Sequence, residues 1–427
     1  MRFVPLIILI LPQIVAPVVS ANEIDYTTTF SVTSYENILR VENPESDELA
    51  KSLSIGAEWS ENTINFVASV NAGFESTRFS NEVEGDRNDG NLNANLLWIF
   101  SPNRYEWMLS DIYTQTAIDS RLPESPLNRQ YINAFSTGPN LKWRVAKTTH
   151  IELLPRIEDY RFEQKLLNNQ RANTRLAWFQ TPSASTEYGA DLFYETINYT
   201  SSQLVDSDYE QLEMNLNFSN VRKNHVIEAS SGITRIDTDN YQSDNESQYR
   251  LYVSNQRTRT SSIAFTAGKT VTDTSRTVID AAVDSSMALT TSSDIYTNEY
   301  IRFEYNKNYR NFIIELELEK REEDYFTQNF LDRDAESAGL GIQWNNTNNS
   351  LFRVNLISTD YEYPLVTDER LDEDRTASLE YVYRTNSNLI YRISVLDIQR
   401  ESTAADESFD DKVMMFSITY ETRRRNY

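Results

Sequence analysis

Apolar and polar residues alternate with period two in one segment of the chain after another. Ile24, Tyr26, Thr28, Phe30 and Val32 open the series, followed by Leu53, Ile55, Ala57 and Trp59, and then by Ile64, Phe66, Ala68, Val70, Ala72 and Phe74. Leu92 to Phe100, Leu212 to Phe218, Phe312 to Leu318, Leu389 to Val395 and Met414 to Tyr420 repeat it. This is the signature of strands with one greasy face, and helical spacing is not seen.

The connections alternate as well. Short turn-like links rich in Asn, Pro and Ser, such as Ser101-Pro102-Asn103-Arg104, Thr181-Pro182-Ser183-Ala184 and Thr385-Asn386-Ser387-Asn388, supply turn geometry. Between them lie longer polar loops: Asn37 to Asp47, Asn81 to Asp89, Thr274 to Asp294 and Thr367 to Asp374. Short turns at one rim and long loops at the other predict an all-β fold, one transmembrane antiparallel up-and-down barrel running from Asn22 to Tyr427. Counting segments predicts about 20 strands, with roughly 18 or 22 as alternatives, because such barrels take even numbers.

A soluble β-sandwich would have to bury every apolar face against another sheet and would split into several domains, yet no linker or change of texture is visible. In a barrel the apolar face meets lipid and the other face meets a water-filled lumen. The residues between the apolar positions suit that. Glu315, Glu317 and Glu319 alternate with leucines, and Arg302, Glu304 and Arg392 hold equivalent places. These six are the candidates for setting charge selectivity, with Arg302 and Arg353 as expected partners of the glutamate ladder. Trp59, Trp98, Tyr105, Trp107, Trp143, Tyr305 and Tyr383 stand near strand ends, where interfacial girdles form.

Composition narrows the reading. The 427 residues carry a net charge of −24 and include 25 Tyr, 19 Phe and no Cys. That charge argues against nucleic acid as a partner, and the missing cysteines exclude disulfides and thiolate metal sites. Arg2, the apolar run Phe3 to Val19 and the small residues Val19-Ser20-Ala21 predict a signal peptide over residues 1–21. No other stretch approaches the ~18 apolar residues of a spanning helix. The long loops are acidic, as in Glu82, Glu84, Asp86 and Asp89, in Asp368, Glu369, Asp372, Glu373 and Asp374, and in Asp406, Glu407, Asp410 and Asp411. Short turns are neutral or basic, so the outer rim is expected to be negative.

No constellation for catalysis, no cofactor fingerprint and no metal-ligand cluster stands out. Asp237-Thr238-Asp239 starts like a calcium loop but lacks its glycine and terminal glutamate. His150 and His225 are the two histidines, each at the start of a strand after a short turn. They are the residues that a barrel-embedded lipid or lipopolysaccharide hydrolase would need, and their place at the inner rim suits that chemistry poorly.

One region carries more than strand rhythm. Trp98-Ile99-Phe100-Ser101-Pro102-Asn103-Arg104-Tyr105-Glu106-Trp107 is followed by Pro126-Leu127-Asn128-Arg129-Gln130-Tyr131-Ile132-Asn133, by Ser136-Thr137-Gly138-Pro139-Asn140, and by Tyr160-Arg161-Phe162-Glu163 and Asn169-Gln170-Arg171. Over Leu92 to Thr181 the layout resembles the outer-membrane β-barrel family encoded with exopolysaccharide operons and PEP-CTERM/exosortase systems, the EpsL- and VpsM-like barrels of the porin 2 type. The resemblance implies a non-catalytic, cofactor-free component of exopolysaccharide export or surface assembly in the cell outer membrane. Its expected partners are outer-membrane lipid and lipopolysaccharide, the exopolysaccharide and other export-machinery proteins. The C-terminus departs from the usual barrel ending. Met414, Phe416, Ile418 and Tyr420 keep the lipid register, whereas Tyr427 falls on the opposite parity after Arg423-Arg424-Arg425. A general diffusion porin for small solutes is the alternative.

Overall fold

The computed structural model describes residues 24–422, apart from 45–46, 82–84, 120, 124, 166, 201–207, 239–243, 278–293, 348, 365–369 and 386–387. The expected signal peptide, the tail beyond residue 422 and Asp239 of the calcium-like triplet lie outside the described residues. Twenty antiparallel strands close on themselves. The first ten are β1 (Ile24–Tyr35), β2 (Glu48–Asn62), β3 (Phe66–Phe79), β4 (Arg87–Ser101), β5 (Tyr105–Ala117), β6 (Arg129–Ala146), β7 (Thr149–Phe162), β8 (Asn169–Ser183), β9 (Thr186–Tyr199) and β10 (Tyr209–Arg222). The others are β11 (His225–Thr238), β12 (Asp244–Thr258), β13 (Ser261–Asp273), β14 (Ile295–Tyr309), β15 (Phe312–Tyr325), β16 (Arg333–Thr347), β17 (Ser350–Tyr363), β18 (Arg370–Arg384), β19 (Leu389–Ser402) and β20 (Phe409–Glu421).

Each strand pairs with its sequence neighbour, and β1 pairs with β20 from Thr27–Glu421 to Tyr35–Val413, which closes the ring between the first and last strands. At one rim the connections are two to four residues long, and at the other they run from five to twenty-one. Asn103 and Asn388 take the left-handed conformation in the short turns, with φ of 58° and 61°, which asparagine tolerates. By the rule for such barrels the long loops face outward. Twenty strands spaced about 4.8 Å apart and tilted about 40° give a barrel about 40 Å across.

Register fixes the two faces. Ile24, Tyr26 and Phe30 on β1, Leu216 on β10, Leu318 on β15 and Met414, Phe416 and Tyr420 on β20 are exposed on the lipid side. Rings meet around the short-turn rim of that face: Phe66 touches Trp59 and Trp98 at 6.1 and 5.4 Å, and Phe352 touches Trp344 and Tyr381 at 5.5 and 4.6 Å. These are the rings of an interfacial girdle. The faces are testable on β10. Leu216→Arg should cost about 2–4 kcal/mol of stability in a bilayer. Asn217→Lys, one residue on but in the lumen, should cost less than about 1 kcal/mol. Denaturant titration in vesicles would check this, and equal costs would mean the faces are exchanged.

Some boundaries differ from the sequence reading. Ile64 sits in the turn between β2 and β3. Asp89, Asp372, Glu373, Asp374, Asp410 and Asp411 belong to strands rather than loops. Several of these carboxylates have cationic partners that make a strand position tolerable: Asp372 with Arg370 at 2.6 Å, Asp374 with Arg400 at 2.6 Å, and Asp89 with Arg87 at 2.9 Å.

Candidate functional site

The lumen is narrowed at its outer mouth by the tops of two hairpins. β12 and β13 stop pairing at Tyr249–Lys269, although β12 starts at Asp244 and β13 runs to Asp273. Lower down, the odd-numbered positions of β13 face lipid, as Phe265 does. Above the split the same parity turns inward against the wall two to four strands away around the ring. Val271 and Ile295 join Ile197, Tyr199, Tyr209 and Ile236, which lie on the lumen faces of β9 to β11, in one buried cluster. On the hairpin's other side Tyr296 stacks on Tyr325 at 4.8 Å and packs with Leu331. The end of the β13–β14 hairpin therefore leans into the lumen toward β9 to β11, and residues 274–277 begin its connection with a helical turn.

An ion-pair network fastens it. Arg171 on β8, whose side chain is completely buried, holds Asp273 through two bonds of 2.9 and 2.6 Å, and its Nε donates to Asn169 at 2.9 Å. Its guanidinium lies 4.6 Å from the ring centre of Tyr160. Ser275 donates to Asp273 at 2.6 Å, and Arg276 reaches Glu195 on β9 at 3.2 Å. Two arginines thus meet two buried carboxylates, Arg171 fully enclosed and Arg276 still partly open to water.

The second insertion is the loop from Ile118 to Asn128. Buried Asn128 shapes it: Oδ1 accepts from the N–H groups of Ile118 and Asp119 at 3.1 and 2.8 Å, and Nδ2 donates to the Asp119 carbonyl at 2.6 Å. The Arg121 carbonyl accepts from Arg370 at 3.0 Å and Arg400 at 2.8 Å, on the far strands β18 and β19. β4 and β5 stop pairing at Leu92–Tyr113, and Asp89 accepts from Gln115 and Tyr131 at 2.9 and 2.6 Å.

Titration of the loop groups gives this mouth a pH dependence. Burial raises the carboxyls of Asp294, Asp332 and Glu407 above their ordinary values, with Arg370 opposing at Glu407. Burial would also raise Asp119, but its bonds from Arg121 hold it below 3.8. For the three raised groups the favourable contribution is complete below 3.8 for the aspartates and 4.5 for Glu407, and is lost as pH rises through the raised values. The Asp119 contribution is present above 3.8 and lost below it. Acidification from neutrality to about pH 4 should therefore tighten the loops, and stronger acid should loosen residues 118–128. Hydrogen exchange corrected for intrinsic rates would check the sign, and steady loosening from pH 7 downward would contradict it.

The charged wall lies on β14 and β15. Arg302 stands opposite Glu319, Glu304 opposite Glu317, and Asn306 opposite Glu315, all on the lumen face. Arg302 bonds Glu319 at 2.5 Å and Glu317 at 3.4 Å. Arg321 bridges Glu319 to Glu323, and Arg333 bonds Glu323 at 2.7 Å. Gly339 and Gly341 stand opposite Glu317 and Glu315 on β16, so no side chain screens those carboxylates there, and the Glu317 side chain is 51% exposed. Arg353 is not a partner of this ladder, contrary to the sequence reading. Two strands away, it bonds Glu380 at 3.0 Å and Gln343 at 2.9 Å. Arg392 reaches the other oxygen of Glu380 at 2.6 Å, making a separate Arg–Glu–Arg group.

Across the lumen, the wall of β1 to β4 holds a recess of about 620 Å3. The facing pair Gly56 and Gly73 forms its floor, and Asp25, Ser54, Glu58, Asn71 and Glu75 stand around it. His150 stacks on Phe179 at 5.0 Å and lies 3.6 Å from Glu152, while His225 pairs with Arg222 across its turn. Among the described residues no hydrogen bond joins either histidine to a serine, and no group of three or more His, Asp or Glu is arranged to hold a metal ion.

No protein-family model and no curated protein matches the sequence. Solved structures do match its fold. The FrpB iron transporter of Neisseria meningitidis (F5-1 variant, apoprotein form) aligns over 94% of this chain and 81% of its own, with a TM-score of 0.51 and 8% identity. The siderophore receptor PirA of Pseudomonas aeruginosa aligns over 93% of this chain and 80% of its own (TM-score 0.46, 10% identity). OpdK of the same organism, solved with vanillate, aligns over 93% and 99% (TM-score 0.44, 10% identity). This is an outer-membrane β-barrel. The barrel's likeness to these proteins is one of fold.

Proposed function

We propose that the barrel is a channel for small polar solutes that favours cations over anions. The observation that carries this reading is the lumen face of β14 and β15, where Glu304, Glu315, Glu317, Glu319 and Glu323 stand with Arg302, Arg321 and Arg333. A surplus of carboxylates along a pore wall raises the local concentration of cations and repels anions. A barrel about 40 Å across would pass large molecules if it were empty. The two inserted hairpin ends narrow that opening. FrpB, which shares the fold, is a transporter. In liposome swelling, small ammonium salts and neutral amino acids should enter faster than carboxylates of equal size. Equal entry of anions and cations would refute the charge preference.

A second reading is export or surface assembly of exopolysaccharide. It is favoured by the family resemblance over Leu92 to Thr181, and the polar recess on β1 to β4 would suit a hydroxylated polymer. The neighbouring genes test it: glycosyltransferases and a chain-length regulator beside this gene would support export, and their absence would remove its basis.

A further inference from the structure

The hairpin that closes the mouth leaves a strand edge behind it. Asp244 to Gln248 of β12 are paired to β11 on one side, and among the described residues no strand pairs with their other side. A strand edge of this kind is a ready template for another strand. The strand that could fill it is already adjacent. Continuing the β12–β13 register upward from Tyr249–Lys269 would set Gln248 opposite Thr270, Ser247 opposite Val271 and Glu246 opposite Thr272. The strands are still in touch at the branch, where Lys269 and Glu246 lie 3.3 Å apart.

The inward position also carries a cost. Tyr209 is 4% exposed and Thr234 fully buried on the lumen face of β10 and β11, and among the described residues neither hydroxyl has a hydrogen-bond partner. Buried polar groups without partners are uncommon in a permanently packed interface, and water would satisfy both if the hairpin lifted. The Arg171, Asp273, Glu195 and Arg276 cluster opposes lifting, because it supplies the inward position with its charge pairing.

We propose that the end of the β13–β14 hairpin is a gate with two seats: the inward one, pinned by Arg171, and an outward one in which β13 zips onto the free edge of β12 in the continued register. The outward seat exchanges a buried ion-pair cluster for additional backbone pairing and hydrated hydroxyls. It widens the mouth without unfolding any strand below Tyr249.

The test is a cross-link that only the outward seat permits. Ser247 is exposed on the outer face, while Val271 is buried on the side of the docked hairpin that packs against β9 to β11. Directly opposed residues in an antiparallel pair have Cα atoms about 4.5–5.5 Å apart, a span that a disulfide bridges. Ser247→Cys/Val271→Cys, refolded as the full barrel, should form the bond on oxidation, and conductance should rise severalfold and return on reduction. Ser247→Cys/Thr272→Cys, shifted by one residue, should not link. If the first pair does not fold, Glu246→Cys/Thr272→Cys tests the same register from the lumen side. A folded barrel that does not cross-link, or that links both registers equally, overturns the outward seat. A link without a change in conductance overturns the gate. The conductance arm rests on the channel reading, whereas the cross-link arm holds even for a barrel that does not conduct.

Discussion

Arg171→Ala should release the hairpin from the lumen wall and raise the conductance of the barrel severalfold. Arg171 is completely buried and is the principal counter-charge of Asp273. Removing one member of a buried pair leaves the other desolvated without its main counter-charge, at a cost of about 3–5 kcal/mol. That cost falls on the docked position only, since Asp273 regains water once the hairpin lifts. At 1.4 kcal/mol per factor of ten, the ratio of docked to lifted hairpin drops by roughly a hundredfold or more. Below the split the β-ladder is untouched, so assembly into the membrane should be normal. The control is Arg171→Met/Asp273→Leu. Replacing both charges by apolar groups of similar size is often neutral or stabilising, so this variant should dock again and conduct like the parent. Single-channel recording and protease access to residues 274–277 would read both variants. An alanine variant that conducts and resists protease like the parent would show that the ion pair does not hold the hairpin.

The second large effect concerns selectivity. Glu315→Gln/Glu317→Gln/Glu319→Gln removes three lumen charges while keeping side-chain size. It leaves Arg302 and Arg321 facing a weaker acidic field from Glu304 and Glu323. Cation preference should fall by several-fold, or turn to anion preference, with little loss of conductance. Reversal potentials in a salt gradient would measure it. By contrast Glu380→Gln, on β18 between Arg353 and Arg392, should weaken cation preference more mildly, because it removes one charge away from the ladder. A shift from the triple variant only about three times that of Glu380→Gln would mean that net lumen charge alone matters and the ladder has no special weight.

Much of this was legible in the sequence. Period-two alternation marked the strands, and the faces followed, because a barrel wall leaves each residue only two directions. The Glu315, Glu317 and Glu319 ladder and its partner Arg302 were readable for the same reason, since β14 and β15 are joined by a two-residue turn. The mouth was not legible. Arg171 and Asp273 stand 102 residues apart, and no local rule brings β8 to β13. The hairpin also reverses the parity rule above Lys269, so residues of the lipid register end in the interior. A signal was present nonetheless: Ile197, Tyr199, Tyr209 and Ile236 are apolar or aromatic at lumen positions of three adjacent strands, where polar residues are the norm. A greasy patch at the top of a polar lumen marks something docked against it. The acidic stretches near Asp372 and Asp410 were read as loops because charge looked like exposure. Arg370 and Arg400 on the lumen face show why charge there can be structural.

The measurement closest to the centre of this account is planar-bilayer recording of the refolded wild-type barrel under a tenfold potassium chloride gradient. Discrete channels are expected, with conductance well below that of an unobstructed 20-stranded barrel and a reversal potential on the cation-selective side. A barrel that inserts but passes no ions, or one whose reversal potential lies on the chloride side, would contradict it.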